Sequence, residues 1–285
     1  MMQNIEDMEF YPAALTITGS DSGGGAGIQA DLRTFNAFGI YGCSAVTAVI
    51  SRNPFHVRRT DVLPPEVVRS QINAVLDAIP VRIAKTGMLA NSAVTEAVAS
   101  AVSDYSLPLV VNPSIVEASG VQSVEKSAIE TMKKCLLPLA AWVTPDIPEM
   151  ELILERKLEG KKDFAEAVRR FYDRFGSNVL LRTGSSAGGK AATDYLCCDG
   201  KCYTLSSPAA KVPGTTTHGV GCTISAAIAA GLAFGMNWEM ALTEAKSFVY
   251  GSLCETVHLS GNLTQMYPPS EDSLKFIRLE PLREK

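Results

Sequence analysis

Apolar, β-branched runs alternate along the chain with stretches in which apolar residues recur at helical spacing. "AALTITGS" (13–20), "CSAVTAVIS" (43–51), "VRIAKTG" (81–87), "PLVVN" (108–112), "AAWVTP" (140–145) and "NVLLRTG" (178–184) read as strands. The intervening patterns predict helices over about 26–38, 64–79, 92–105, 124–137 and 163–175, the second opened by proline in its first turn. "ATDYLCCDGKCYTLSS" (192–207) alternates about Asp199-Gly200, a two-residue hairpin signal. Two further helices, 222–234 and 237–257, close the pattern. Such alternation predicts an α/β fold with a mostly parallel sheet between helices. No linker, repeat or low-complexity segment divides it, so one domain is expected over 1–285, with loose ends at about 1–10 and 262–285.

In a sheet of this kind ligands sit beyond the carboxyl ends of the strands. That rule selects the loops 19–27, 51–54, 86–89, 112–116, 144–149 and 182–185 as the walls of one cleft, with the 217–222 junction at its edge.

Composition narrows the partners. Lys and Arg number 26 against 30 Asp and Glu, a net charge of −4 with no long run of one sign, so neither nucleic acid nor an anionic membrane is the expected partner. The N-terminus "MMQNIEDMEF" is acidic and lacks the apolar core of a secretory signal. The apolar run near 222–234 is too short to span a bilayer. Seven cysteines, an odd number in a chain too long to need disulfide staples, point to free thiols and a cytoplasmic setting.

Two glycine-rich segments carry the candidate chemistry. "THGVGC" (217–222) runs directly into a helix of small apolar residues. A glycine loop feeding a helix start leaves backbone N–H groups free at the positive end of the helix dipole, an arrangement suited to an anion. A cysteine placed there, Cys222, is expected to have a lowered pKa and to serve as proton acceptor, nucleophile or ligand; the plainer reading is a small buried residue at a helix start. "GSDSGGGAG" (19–27) matches neither the P-loop nor the dinucleotide fingerprint, because Gly25-Ala26 stand where Lys-Ser/Thr would follow and Ile28 stands where a glycine would be needed. Its plainer reading is an ordinary strand-to-helix turn. "CCDGKC" (197–202) lies on an expected exposed hairpin and lacks a fourth zinc ligand. In "TPDIPEME" (144–151), Asp146, Glu149 and Glu151 are suitable for Mg²⁺, although a carboxylate near a helix start commonly caps it.

Together, "GGGAGIQADL" and "THGVGCTISAA", with "KTGML" and "TPDIPE" between them in order, resemble the hydroxymethylpyrimidine/phosphomethylpyrimidine kinases of thiamin biosynthesis, in the ribokinase-like superfamily. The resemblance runs from about Ala14 to beyond Gly251. It implies a ribokinase-like three-layer α/β/α sandwich without a separate lid domain, a homodimer, and transfer of the ATP γ-phosphoryl group, with Mg²⁺, to a primary alcohol on a heteroaromatic ring. By residue, it implies Cys222 as the catalytic group, with Gly219, Gly221 and the Cys222 amide as the anion hole. It places Ala26, Asp31, Met88, Arg52 and Ser114 at the substrate, and Asp146, Arg182, Thr183 and Gly184 at the nucleotide. Glu149 and Asn112 are implied at the metal. The chain departs from the family pattern at Arg52 (usually glutamine), Asn112 (usually aspartate), Asp146 (usually asparagine) and Arg182 (usually lysine). Arginine only donates hydrogen bonds where glutamine also accepts, so a pyridoxal-type substrate stands beside the pyrimidine as an alternative. A non-catalytic ligand-binding relative and a cysteine hydrolase are the readings from other classes.

Overall fold

A computed structural model describes residues 11–53, 55–116, 124–184, 190–210, 218–261 and 263–282. Its main sheet is built from β1 (Ala13–Asp21), β2 (Tyr41–Arg52), β3 (Val57–Val62), β4 (Val81–Thr86), β5 (Leu109–Val111), β6 (Trp142–Val143), β7 (Asn178–Leu181), β8 (Ala191–Cys198), β9 (Lys201–Pro208) and β12 (Arg278–Pro281). These ten strands lie in the order β12-β9-β8-β7-β6-β5-β4-β1-β2-β3. The run from β2 through β1 and β4 to β7 is parallel, and antiparallel strands extend it at both ends. A separate small ribbon pairs β10 (Val257–Ser260) with β11 (Leu263–Gln265).

The sheet's period of two divides its side chains between two cores. Leu15, Ile17, Val111 and Val143 join the apolar faces of α2 (Pro65–Leu76), α3 (Ser92–Asp104), α4 (Lys126–Thr131), α5 (Ile147–Leu154) and α6 (Lys161–Phe175). Ala14, Ile83, Val110 and Trp142 face the opposite layer, made of α1 (Gly27–Ala37), α7 (Val220–Ala233) and α8 (Trp238–Cys254). The result is a three-layer α/β/α sandwich. The amphipathic helix α6 shows one buried stripe of Phe164, Ala167, Val168 and Phe171, whereas α7 is buried nearly all round. That difference follows from composition: α7 is almost wholly alanine, isoleucine and other small residues, and it packs between α1, α8 and the sheet.

Several expectations are corrected by the structure. The segment 262–285 is not simply a loose end, because β12 adds to the sheet edge beside β9. The expected residues 1–10 lie outside the described residues. The helix near 124–137 is α-helical only over Lys126–Thr131 and continues as a π turn over Met132–Leu136. The hairpin does turn at Asp199-Gly200, both with positive φ (47° and 73°), but Cys197 and Cys198 are buried and Cys202 is half-buried rather than exposed. Among the described residues no group of three His, Cys, Asp or Glu side chains converges as a metal site, and no helix is long and apolar enough to cross a membrane.

Candidate active site

The carboxyl ends of β1, β2, β4, β5, β6 and β7 open onto a single cleft of about 860 Å³. Its lining includes Gly19, Asp21, Ala26 and Gly27 from the first glycine loop, Arg52, Met88, Asn112, Ser114, Asp146, Glu149, Arg182, Thr183 and Gly184. His218 to Cys222 complete it. Pro54, Ser185 and Thr217, which belong to the segments selected from sequence, fall outside the described residues. Asp31 does not line the cleft. It is fully buried beneath it, where Thr16 Oγ1 donates at 2.5 Å and Lys85 Nζ pairs at 2.7 Å with its Oδ2.

The start of α7 forms the cleft's anion-attracting end. Its N-cap is Gly219, with φ +90° and no side chain to cap the turn. Thr223 N–H is the first to reach back, to Gly219 O at 2.8 Å. The amides of Gly219, Val220, Gly221 and Cys222 are therefore the four that a helix leaves without intrahelical acceptors. The Arg182 guanidinium lies against this turn: a Cβ built on Gly221 would stand 3.1 Å from both of its terminal nitrogens. Dipole, amides and guanidinium thus bring positive potential to one spot.

A second helix start converges on the same place. The first amide of α1, from Gly27, donates to Cys222 Sγ at 3.4 Å. This close approach requires glycine on both sides. A Cβ on Gly27 would lie 2.2 Å from Gly19 O, and one on Gly219 would lie 1.9 Å from Gly25 O. Burial pushes the Cys222 thiol up, against the pull of Lys85, the Gly27 amide and Arg182. This corrects the expected fall: the helix start is present, but the side chain is largely buried in the cleft wall.

On the facing wall, Asp146 caps α5, accepting from Glu149 N at 2.9 Å, while Glu149 Oε2 accepts from Asp146 N at 2.9 Å. This reciprocal capping is the plainer reading of those carboxylates, and both nevertheless face the cleft. Glu149 Oε1 accepts from Ile115 N at 2.9 Å, and Arg182 Nη2 stands 3.4 Å from Glu149 Oε2 and 3.8 Å from Asp146 Oδ2. Arg182 Nε donates to Thr144 O at 2.9 Å, which aims the guanidinium. Burial and the Asp146 charge raise the Glu149 carboxyl to about 7, in spite of Arg182 and the two backbone donors. Because the folded pKa lies above the unfolded value, Glu149 favours folding most below its ordinary value of 4.5, and that contribution is lost as pH rises through about 7. Glu149→Gln should therefore flatten the decline of melting temperature between about pH 4.5 and 7; identical slopes for the two proteins would contradict this.

Thr183 and Gly184 are held from behind. Asp194 Oδ1 accepts from their amides at 2.9 and 3.3 Å, and Lys246 Nζ neutralises Asp194 Oδ2 at 2.6 Å. Sequence reading missed this support, together with Asp21 and His218. Asp21 lies within "GSDSGGGAG", yet nothing local shows that it accepts from Gly23 N at 2.8 Å and Ala26 N at 3.0 Å. Burial alone would raise its carboxyl; His218, the Gly23 amide and Arg52 outweigh that and hold it below the ordinary range. Arg52 lines the cleft with its Nε 3.9 Å from Asp21 Oδ1.

The model of the phosphomethylpyrimidine kinase family matches residues 21–266. The hydroxymethylpyrimidine/phosphomethylpyrimidine kinase of Synechococcus elongatus is 36% identical over 260 residues, spanning 90% of this chain and 98% of that protein. Its Escherichia coli counterpart is 34% identical over 244 residues, spanning 85% and 91%. Among solved structures, the Staphylococcus aureus pyridoxal kinase in complex with AMP-PCP and pyridoxal aligns with a TM-score of 0.85 at 26% identity, covering 96% of this chain and all (100%) of that one. The phosphomethylpyrimidine kinase of Clostridium difficile aligns with a TM-score of 0.73 at 33% identity, covering 83% and 97%. The fold is ribokinase-like, and the chain is a phosphotransferase that belongs to the phosphomethylpyrimidine kinase family.

Proposed function

We propose that the chain transfers the γ-phosphoryl group of ATP to the hydroxymethyl group of 4-amino-5-hydroxymethyl-2-methylpyrimidine, and to the monophosphate so formed, in thiamin biosynthesis. The observation that carries this reading is the uncapped start of α7, with Cys222 Sγ beside it and Arg182 packed on Gly221. Phosphoryl transfer passes through a loose transition state, so the protein's task is to position the reactants and neutralise charge. Amides fixed before the reaction do so without reorganisation. The alcohol then loses its proton late, and Cys222 accepts it in the thiolate form, which burial makes scarce at neutral pH and more basic when formed.

Ala26, Met88, Ser114 and Arg52 are assigned to the alcohol substrate, and Asp146, Arg182, Thr183 and Gly184 to the nucleotide. The fit to Mg²⁺ rests on Asn112, whose buried Oδ1 has no partner in the protein, and on Glu149 nearby in the same cleft. Two oxygen donors suit an ion that retains waters and takes its remaining ligands from phosphates. When bound, Mg²⁺ would neutralise phosphate charge; Arg182 and the α7 amides do so from the protein side. Exposed Tyr41, Phe55, Val57 and Val62 at the β2–β3 edge support a homodimer, and seven free cysteines support a cytoplasmic setting.

ADP release from the purified chain with ATP and Mg²⁺, measured in parallel with the pyrimidine alcohol, its monophosphate and pyridoxal, tests the reading. Turnover with the pyrimidines is expected. Turnover confined to pyridoxal would transfer the assignment to that substrate, which Arg52 favours because it carries an oxygen able to accept from a guanidinium. No turnover with any of them would refute it.

A further inference from the structure

His218 precedes the anion hole, and its ring reaches across to the other glycine loop. Its Nε2 lies 3.2 Å from Asp21 Oδ2, the oxygen that also accepts from Ala26 N. The ring packs on Gly25, where a Cβ would come within 2.9 Å of its Cδ2. Two bonds therefore stitch the loops together, His218 to Asp21 at the cleft and Gly27 N–H to Cys222 Sγ beneath it. Between them the backbones touch directly at Gly25 and Gly219.

We propose that His218 is a positioning residue, which acts through Asp21 to lock the anion hole of α7 in register with the substrate loop that opens α1. The loop of residues 19–27 and the loop of residues 218–222 belong to elements far apart in sequence. Packing of α1 on α7 and the Gly27–Cys222 contact set their approach at the base. At the cleft end the carboxylate of Asp21 fixes their relative height, because one oxygen shapes its own loop through Gly23 and the other is shared between Ala26 and His218. With the His218 contact gone, the amides of Gly219, Gly221 and Cys222 lose their fixed distance from an alcohol lodged near Ala26. A small misplacement of reacting groups costs rate much more than binding.

This inference rests on the kinase reading, so its test has one arm that needs no turnover. His218→Leu removes the donor; His218→Gln returns an N–H at a similar reach. His218→Leu is expected to lower kcat by about 10- to 100-fold with the KM for the alcohol changed less than about twofold, and His218→Gln to recover most of that loss. Asp21→Asn combined with His218→Leu should be no slower than Asp21→Asn alone, since both changes break one link. In the second arm, labelling of Cys222 by iodoacetamide, followed on its peptide, should be at least about fivefold faster in His218→Leu than in wild type or His218→Gln, because the loops over the sulfur part. Unchanged labelling and kcat in His218→Leu would overturn the proposal, as would a His218→Gln variant no better than His218→Leu or additive losses in the double variant. Were the wild type to release no ADP, the functional reading would fall and the labelling arm would still decide this one.

Discussion

Cys222→Ala is expected to lower kcat by about 10²–10⁴-fold while leaving the fold intact, the range associated with loss of a positioned proton-transfer group. At about 1.4 kcal/mol per decade this corresponds to about 3–6 kcal/mol of transition-state stabilisation. The size follows from position. The sulfur sits where the first amide of α1 and the uncapped turn of α7 meet, in the wall of the cleft. Alanine is acceptable at that helical site, so thermal unfolding should shift little. Because burial raises the thiol, wild-type activity should climb on the alkaline side of neutrality, and the residual activity of Cys222→Ala should lack that limb. If Cys222 is only a small buried residue at a helix start, the variant will keep near-normal turnover, and steady-state ADP release with melting curves distinguishes the two outcomes.

Gly219→Ala is expected to be the most damaging change at a single backbone position. A side chain at φ +90° is strained by about 1–2 kcal/mol for conformation alone. Here the new Cβ would also stand 1.9 Å from Gly25 O, inside any tolerable contact. The two loops must part to admit it, which breaks the register of the anion hole with α1. Gly235 provides the control: its φ is +92°, yet nothing lies within 4 Å of the Cβ it would acquire. Gly235→Ala thus carries the conformational strain without the clash, far from the cleft. The expected result is a fall in melting temperature for Gly219→Ala at least about 5 °C beyond that for Gly235→Ala, with ADP release lost only in the former. Equal effects of the two substitutions would show that the close approach between the glycine loops contributes nothing.

The parallel strands were legible because runs such as "LVV" and "VLL" are apolar on both faces of the sheet, and the helices between them are amphipathic or wholly apolar. The elements that were missed lack a local signal. β12 is a short edge strand containing Pro281, and only its partner β9, more than seventy residues away by number, makes it a strand. β3, "VRRTDV", is exposed along most of its length and shows no core alternation.

At the site, residues that face the cleft because they end a strand or start a helix were accessible to the carboxyl-end rule. Those whose role depends on a distant partner were not. Asp31 follows the glycine loop by one helical turn, but Lys85 and Thr16 draw its carboxylate under the cleft rather than into it. The same limit applies to Cys222. A helix start argues for a lowered thiol pKa, and burial, a property of the assembled fold, reverses the sign. Asp21, His218, Asp194 and Lys246 do their work through contacts spanning tens to hundreds of residues, which no spacing in the chain discloses.

The central claim is that the first turn of α7 holds the phosphoryl group in flight. A crystal structure of the chain with ADP, Mg²⁺, the pyrimidine alcohol and a metal fluoride that mimics the transferring group measures it directly. The account predicts fluorides within about 3 Å of the Gly219, Gly221 and Cys222 amides, in line with the alcohol oxygen. A mimic bound elsewhere in the cleft, with that turn facing only water or protein, would contradict it.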